Sequence, residues 1–132
     1  MTADNTVAFQ GKPGAYSHMA CREVHPEMDV LACESFEDVF QAVESGDARL
    51  AMLPIENSLA GRVADVHHLM PQSSLHIVGE HFQRVNHHLL GVSGATIDGL
   101  TAVHSHVQAL GQCRVRLRSL GLTPVTHADT AG

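Results

Sequence analysis

Three short polar stretches hold the residues whose types and spacing suit chemistry. In LPIENSLAGRV, residues 53–63, an apolar run ends in Glu56, Asn57 and Ser58, with Gly61 three residues later. A carboxylate, an amide and a hydroxyl at the mouth of a strand stand where open α/β sheets bind ligands. Gly61 would let a chain or ligand approach closely. The plainer alternative is that Asn57 or Ser58 only caps the helix that follows. In QGKPGAYS, residues 10–17, Gly11 and Gly14 precede a helix start. There backbone N–H groups are free to meet an anion, and Ser17 adds a hydroxyl. The loop lacks the Gly-Lys-Ser/Thr ending of a nucleotide-phosphate loop, so a glycine turn without a ligand is the competing account.

The third stretch is HSHVQALGQC, residues 104–113. Ser105 and Gln108 have the spacing of a capping box. Gln108 and Gln112 lie about 40° apart on a helix, away from the apolar positions. Both are uncharged, so they can hydrogen-bond a carboxylate, carbonyl or hydroxyl. All three loops thus carry donors suited to a small anion. None holds a Ser-His-Asp order, a CxxC pair or a convincing carboxylate pair.

The 11 histidines include His67-His68, His87-His88 and His104-x-His106. Histidines two apart on a strand face one side and could share a metal. No HExxH motif and no completing carboxylate or cysteine accompanies them, so no metal is expected.

The elements that position these loops alternate. Strands are expected at residues 6–10, 29–34 and 49–55, with one helix at 15–25 and a second between Ser35 and Gly46. Ser35 and Asp38 form a variant capping box for the second helix, and Gly46 stands at its C′ position. Phe36, Val39, Phe40 and Val43 make its apolar stripe. A helix is expected over 61–70, with Val63, Val66, Leu69 and Met70 inward. Two strands follow at 75–82 and 86–92 with no helix between them. A strand at 101–104, a helix at 106–120 and an edge strand at 122–127 complete the pattern, Pro124 favouring the edge. The helix at 106–120 should bury Val107, Leu110, Cys113, Leu117 and Leu120. This alternation predicts an α/β protein with largely parallel sheets.

Bulk properties narrow the class. The 132 residues suffice for one domain, or one lobe and part of another. A net charge of −6 with only 8 Lys and Arg argues against a nucleic-acid surface. Aromatic content of 4% argues against base-stacking platforms. No apolar run is long enough for a membrane helix. The N-terminus lacks a basic region and an apolar signal core, and Cys21, Cys33 and Cys113 form no disulfide pattern, so a cytoplasmic location is expected.

Taken together, three motifs resemble prephenate dehydratase: FQGKPGAYSHMA (9–20), LPIENSLAGRV (53–63) and VHSHVQALGQC (103–113). Weaker matches are IVGEHF (77–82), VNHHLLG (85–91) and HADTAG (127–132). Three separate motifs in order are far more specific than any one. The resemblance implies decarboxylating dehydration of prephenate to phenylpyruvate in phenylalanine biosynthesis, without a metal or organic cofactor. It also implies a two-lobed, periplasmic-binding-protein-like (type II) architecture, truncated here within the second lobe. Residues 1–80 would be the first lobe and 81–132 the start of the second, both incomplete.

Carried over by motif, Asn57, Ser105 and Gln112 are the principal substrate positions. Glu56, Ser58, Gly14, Ala15, Tyr16, Ser17 and Gln108 would shape the pocket. The family's catalytic threonine belongs to a Thr-Arg-Phe motif that does not occur in these 132 residues. The chain alone is therefore expected to be inactive. Complete family members carry a regulatory ACT domain that senses phenylalanine and form homo-oligomers. Two positions depart from the family pattern: Val107 stands where proline is frequent, and His104 where another residue is frequent. The competing expectations are arogenate dehydratase and a non-catalytic small-anion binding module.

Overall fold

The computed structural model describes residues 2–127. The weak HADTAG match lies outside them from residue 128 onward. The chain divides into two compact units, residues 1–57 with 61–85, and residues 58–60 with 86–132.

The first unit is built on a three-stranded parallel sheet. β1 (Thr6–Gln10) lies between β2 (Asp29–Cys33) and β3 (Leu50–Met52). Thr6 pairs with Asp29, and Val7 with Leu50. A central strand of a parallel sheet is covered on both faces, so it reads as a continuous buried run. Thr6, Val7, Ala8 and Phe9 are all fully buried. The period-two alternation of β1 divides the core. Val7 and Phe9 pack with Cys21 and Met28 on one face. Ala8 packs with Val39, Ala42 and Ala48 on the other. The buried Thr6 hydroxyl donates to the Thr2 carbonyl at 2.8 Å, which offsets its loss of water.

The crossovers are α1 (Tyr16–Val24) and α2 (Phe36–Glu44). The capping box of α2 forms as the spacing predicts: Ser35 Oγ accepts from Asp38 N–H, and Asp38 accepts from Ser35 N–H. At the other end Gly46 takes φ +81. Its N–H meets Val43 O at 3.2 Å and the Asp47 N–H meets Ala42 O at 2.8 Å, a Schellman motif.

Two expectations change after β3. The strand stops at Met52, before Pro54, whose missing N–H cannot continue a ladder. The expected helix over 61–70 is shorter, α3 being Ala64–Leu69, because Gly61 and Arg62 are consumed in a hairpin. Of its four expected inward residues, Val66 is fully buried and Val63, Leu69 and Met70 are half-buried.

The second unit holds β6 (Ala102–His106) and β7 (Thr123–His127), paired in parallel, with α4 (Val107–Gln112) and α5 (Arg114–Ser119) between them. The expected single helix over 106–120 is broken at Cys113 (φ −95, ψ 2), just after the weak helix former Gly111. Leu110, Leu117 and Leu122 form the core, with Cys113 and Leu120 against it. Val107 is instead 57% exposed. A second Schellman motif ends α5: Gly121 (φ +68) donates to Arg118 O, and Leu122 to Leu117 O. It also places Leu122 against Leu117 in the core.

The strands expected at 75–82 and 86–92 are absent: no ladder is found for either among the described residues. Their residues have strand-like patterning, but a strand exists only where a neighbour supplies hydrogen bonds.

Candidate functional site

The candidate residues fall on both units, and each group is built by its own local structure. In the first unit, the 10–15 loop turns α1 away from β1. Gly14 takes φ +94, a conformation only glycine adopts cheaply. Its N–H is not free, as the spacing had implied, because it donates to His18 Nδ1 at 2.8 Å. Ala15 is the N-cap of α1 with no side-chain cap bond, and its N–H donates to Lys12 O at 3.0 Å. The N–H groups of Ser17 and His18 remain at the helix start without an intrahelical acceptor. Sequence reasoning missed His18, whose ring also stacks on Phe9 with centroids 5.4 Å apart. The i to i+4 spacing of Gly14 and His18 was the available signal. An acceptor at Nδ1 places the neutral ring's proton on Nε2.

Glu56 and Asn57 are not in an open loop. They form β4, antiparallel to β5 (Gly61–Arg62), with Glu56 opposite Arg62 and Asn57 opposite Gly61. Residues 58–60 turn the chain back, and Gly61 (φ +81), the first residue of β5, takes a left-handed backbone that glycine adopts without cost. A Cβ at Gly61 would meet nothing within 4 Å, so backbone conformation, not close approach, demands glycine. Neither Asn57 nor Ser58 caps the next helix; the N-cap of α3 is Val63, with no side-chain bond. Ile55 O accepts from the Val63 N–H at 3.0 Å and from His67 Nε2 at 3.2 Å, which fastens the hairpin base to α3. Glu56 and Ser58 are exposed, and Asn57 is half-buried.

In the second unit, Ser105 lies on β6 opposite Thr126. It is half-buried and lines a largely apolar cavity of about 520 Å³ with Val103, Leu110, Leu117 and Leu120. Ser105 does not cap α4. His106 does, its Nδ1 accepting from the Gln108 N–H at 3.2 Å. The Gln108 side chain is exposed, whereas Gln112 is half-buried and its Oε1 accepts from His87 Nε2 at 2.8 Å. His104 Nδ1 meets His127 Nε2 at 2.7 Å, so the two histidines of the 104–106 pair have separate tasks. No cluster of three or more His, Cys, Asp or Glu suited to a metal occurs among the described residues.

Parallel strands joined by helices place the chain in the α/β class. A family model for prephenate dehydratase matches residues 7–132, and the chain belongs to the prephenate dehydratase family. It is 51% identical over its whole length to a bifunctional N-acyl-homoserine lactone acylase/prephenate dehydratase of Komagataeibacter europaeus, covering 47% of that protein. It is 45% identical over 96% of its length to arogenate dehydratase 1 of Petunia hybrida, covering 30% of it. The chain thus spans less than half of either relative. Among solved structures, it superposes on the quorum-quenching acylase GqqA with a TM-score of 0.77 and 52% identity, over 96% of this chain and 46% of that one. A prephenate dehydratase from Arthrobacter aurescens, solved in complex with L-Phe, shares the fold at a TM-score of 0.70 and 22% identity, over 96% of this chain and 43% of that one.

Proposed function

We propose that this chain supplies part of the catalytic region of a cytoplasmic prephenate dehydratase, a lyase of phenylalanine biosynthesis. The family match over residues 7–132 carries this reading. Prephenate is a dianion, and neutral donors together with helix N-termini hold carboxylates without a fixed counter-charge. Asn57, Ser105 and Gln112 are the donors assigned to the substrate, with Gly14, Ala15, Tyr16, Ser17, Glu56, Ser58 and Gln108 around them. The ring carboxylate leaves as carbon dioxide while the 4-hydroxyl, taking up one proton, leaves as water. The electron pair of the breaking C–C bond completes the aromatic ring. The protein's share is orientation and delivery of that proton. The family's threonine proton donor has no motif counterpart in this chain, so the 132 residues alone are inactive. The architecture that fits is the two-lobed, periplasmic-binding-protein-like one, with 1–80 and 81–132 contributing to different lobes. Phenylalanine is the effector of the complete oligomeric protein, a reading supported by the L-Phe bound to the Arthrobacter relative.

The test is phenylpyruvate formation from prephenate by this chain alone and by this chain joined to the part of the Komagataeibacter relative it does not match. The joined protein should turn over, and Asn57→Ala or Gln112→Ala should lower kcat/KM by about tenfold or more. Unchanged kcat/KM in both variants would remove these residues from the site. Arogenate is assayed in parallel, since plant relatives bear that name. A binding-only module would hold either anion without turnover.

A second activity, amide hydrolysis of N-acyl-homoserine lactones, is favoured by the name of the 51% identical relative and by the apolar cavity beside Ser105. Release of free homoserine lactone by the joined protein checks it.

A further inference from the structure

The cavity beside Ser105 lies wholly within the second unit, walled by β6, α4, α5 and residues 87–90. Its volume, about 520 Å³, falls in the range of sites that take small molecules. Its inner wall belongs to the core, since Leu110 and Leu117 are each only 8% exposed. Its mouth is apolar too, with Leu90 86% and Ile97 58% exposed.

The wall is aliphatic. The second unit contains no Phe, Tyr or Trp, so an aromatic ligand would find none of these rings to stack on. The polar groups are few, and two of them are engaged: His87 is bonded to Gln112, and His104 to His127. Arg116 is different. It lines the cavity, and its guanidinium makes no ion pair or hydrogen bond among the described residues. Asp98 is the one carboxylate side chain among the unit's described residues, and it does not line the cavity. An apolar cavity with one unpaired cation on its wall suits an apolar body carrying one negative charge. A guanidinium meets a carboxylate through two parallel N–H bonds. Branched aliphatic walls suit an alkyl chain better than an aryl group.

We propose that this cavity binds a medium-length straight-chain carboxylate, its alkyl chain against Leu100, Leu110 and Leu117 and its head on Arg116. Such a chain would also take apolar surface of Leu90 and Ile97 out of water. The proposal deepens the second reading above and rests on it only for the ligand's source. Amide hydrolysis of an acylated lactone would release such an acid, whereas a pool of free fatty acid would supply it without hydrolysis. Binding itself does not depend on turnover.

The experiment is calorimetric titration of sodium decanoate, kept below its micelle-forming concentration. It is run on this chain and on this chain joined to the unmatched part of the Komagataeibacter europaeus relative. One decanoate per chain is expected in both. Decanol and phenylpyruvate should each bind about tenfold more weakly or worse. Arg116→Gln should weaken decanoate by about tenfold or more and leave decanol unchanged. Arg114→Gln and Arg118→Gln, exposed on the same helix but outside the lining, should change decanoate binding by less than about twofold. Four outcomes overturn the proposal. The first is no decanoate binding. The second is equal weakening by all three arginine variants, which would be attraction to bulk charge. The third is binding to this chain but not to the joined protein, which would mean that the remainder of the fold fills the cavity. The fourth is tighter binding of phenylpyruvate than of decanoate. Release of decanoate from N-decanoyl-homoserine lactone by the joined protein would add hydrolysis as the source; binding without release would still bear out the site and would remove only the second activity.

Discussion

His87 Nε2 donates to Gln112 Oε1 at 2.8 Å, tying a stretch without regular structure to the C-terminal end of α4. Gln112 is a residue assigned to the substrate, and its amide is already oriented by His87, which lies in the weak VNHHLLG match and was given no role at the site. A hydrogen bond this accessible contributes about 0.5 kcal/mol. A double-mutant cycle with His87→Ala and Gln112→Ala, read by urea unfolding of the second unit, should return a coupling of about that size. Strict additivity would mean that the contact orients nothing.

The Gly14–His18 contact gives a sharper test in the first unit. His18→Ala removes both the acceptor for the Gly14 N–H and the stack on Phe9, and should cost about 1–2 kcal/mol. His18→Phe keeps an aromatic surface but no acceptor, and should fall between wild type and alanine. Equal losses for both variants would assign the whole effect to the hydrogen bond.

At the β4–β5 turn, Gly61→Ala forces a Cβ into φ +81 and should destabilise the first unit by about 1–2 kcal/mol. Gly61→Asn should cost less, since asparagine visits that region more readily. Thermal unfolding of the two variants ranks them. If alanine is as good as glycine there, the left-handed backbone at residue 61 is not what selects glycine.

Burial pushes the Cys21 thiol from its usual 9.0 up to about 11. The folded state therefore favours the neutral thiol. That contribution to stability is intact below pH 9 and is lost as pH rises towards about 11. Burial and the charge of Asp38 raise Cys33 in the same direction. Cys21 should resist a thiol reagent at pH 8 until the protein is unfolded. The loss of stability between pH 9 and 11 should shrink in Cys21→Ala.

Local chemistry was legible in the sequence wherever one short segment decides its own structure. Ser35 with Asp38, Gly46 after α2, and the unbroken apolar run of β1 all read directly. The hairpin was not legible, because Glu56-Asn57 and Gly61-Arg62 are too short to show a period, and Gly61 invited a ligand instead of a turn. Ser105 looked like a cap from spacing alone, yet the extra strand residue at His106 moved the cap by one. The strand-like patterns at 75–82 and 86–92 failed for a different reason. Pattern describes which face a residue prefers, whereas a ladder depends on a partner elsewhere. The candidate site was legible as motifs; the tasks of His18 and His87, which orient its members, were not, because their partners lie across a turn or a loop.

β1 stands in the middle of its sheet, with β2 and β3 added on either side. Of these three strands, the one made first is thus the template on which the later two register. Val7, Ala8 and Phe9 each face a residue of β2 on one side and of β3 on the other. The three-stranded sheet needs no strand beyond Met52, so its register can be set before the residues that follow are made. An error in β1 would be propagated to both neighbours at once.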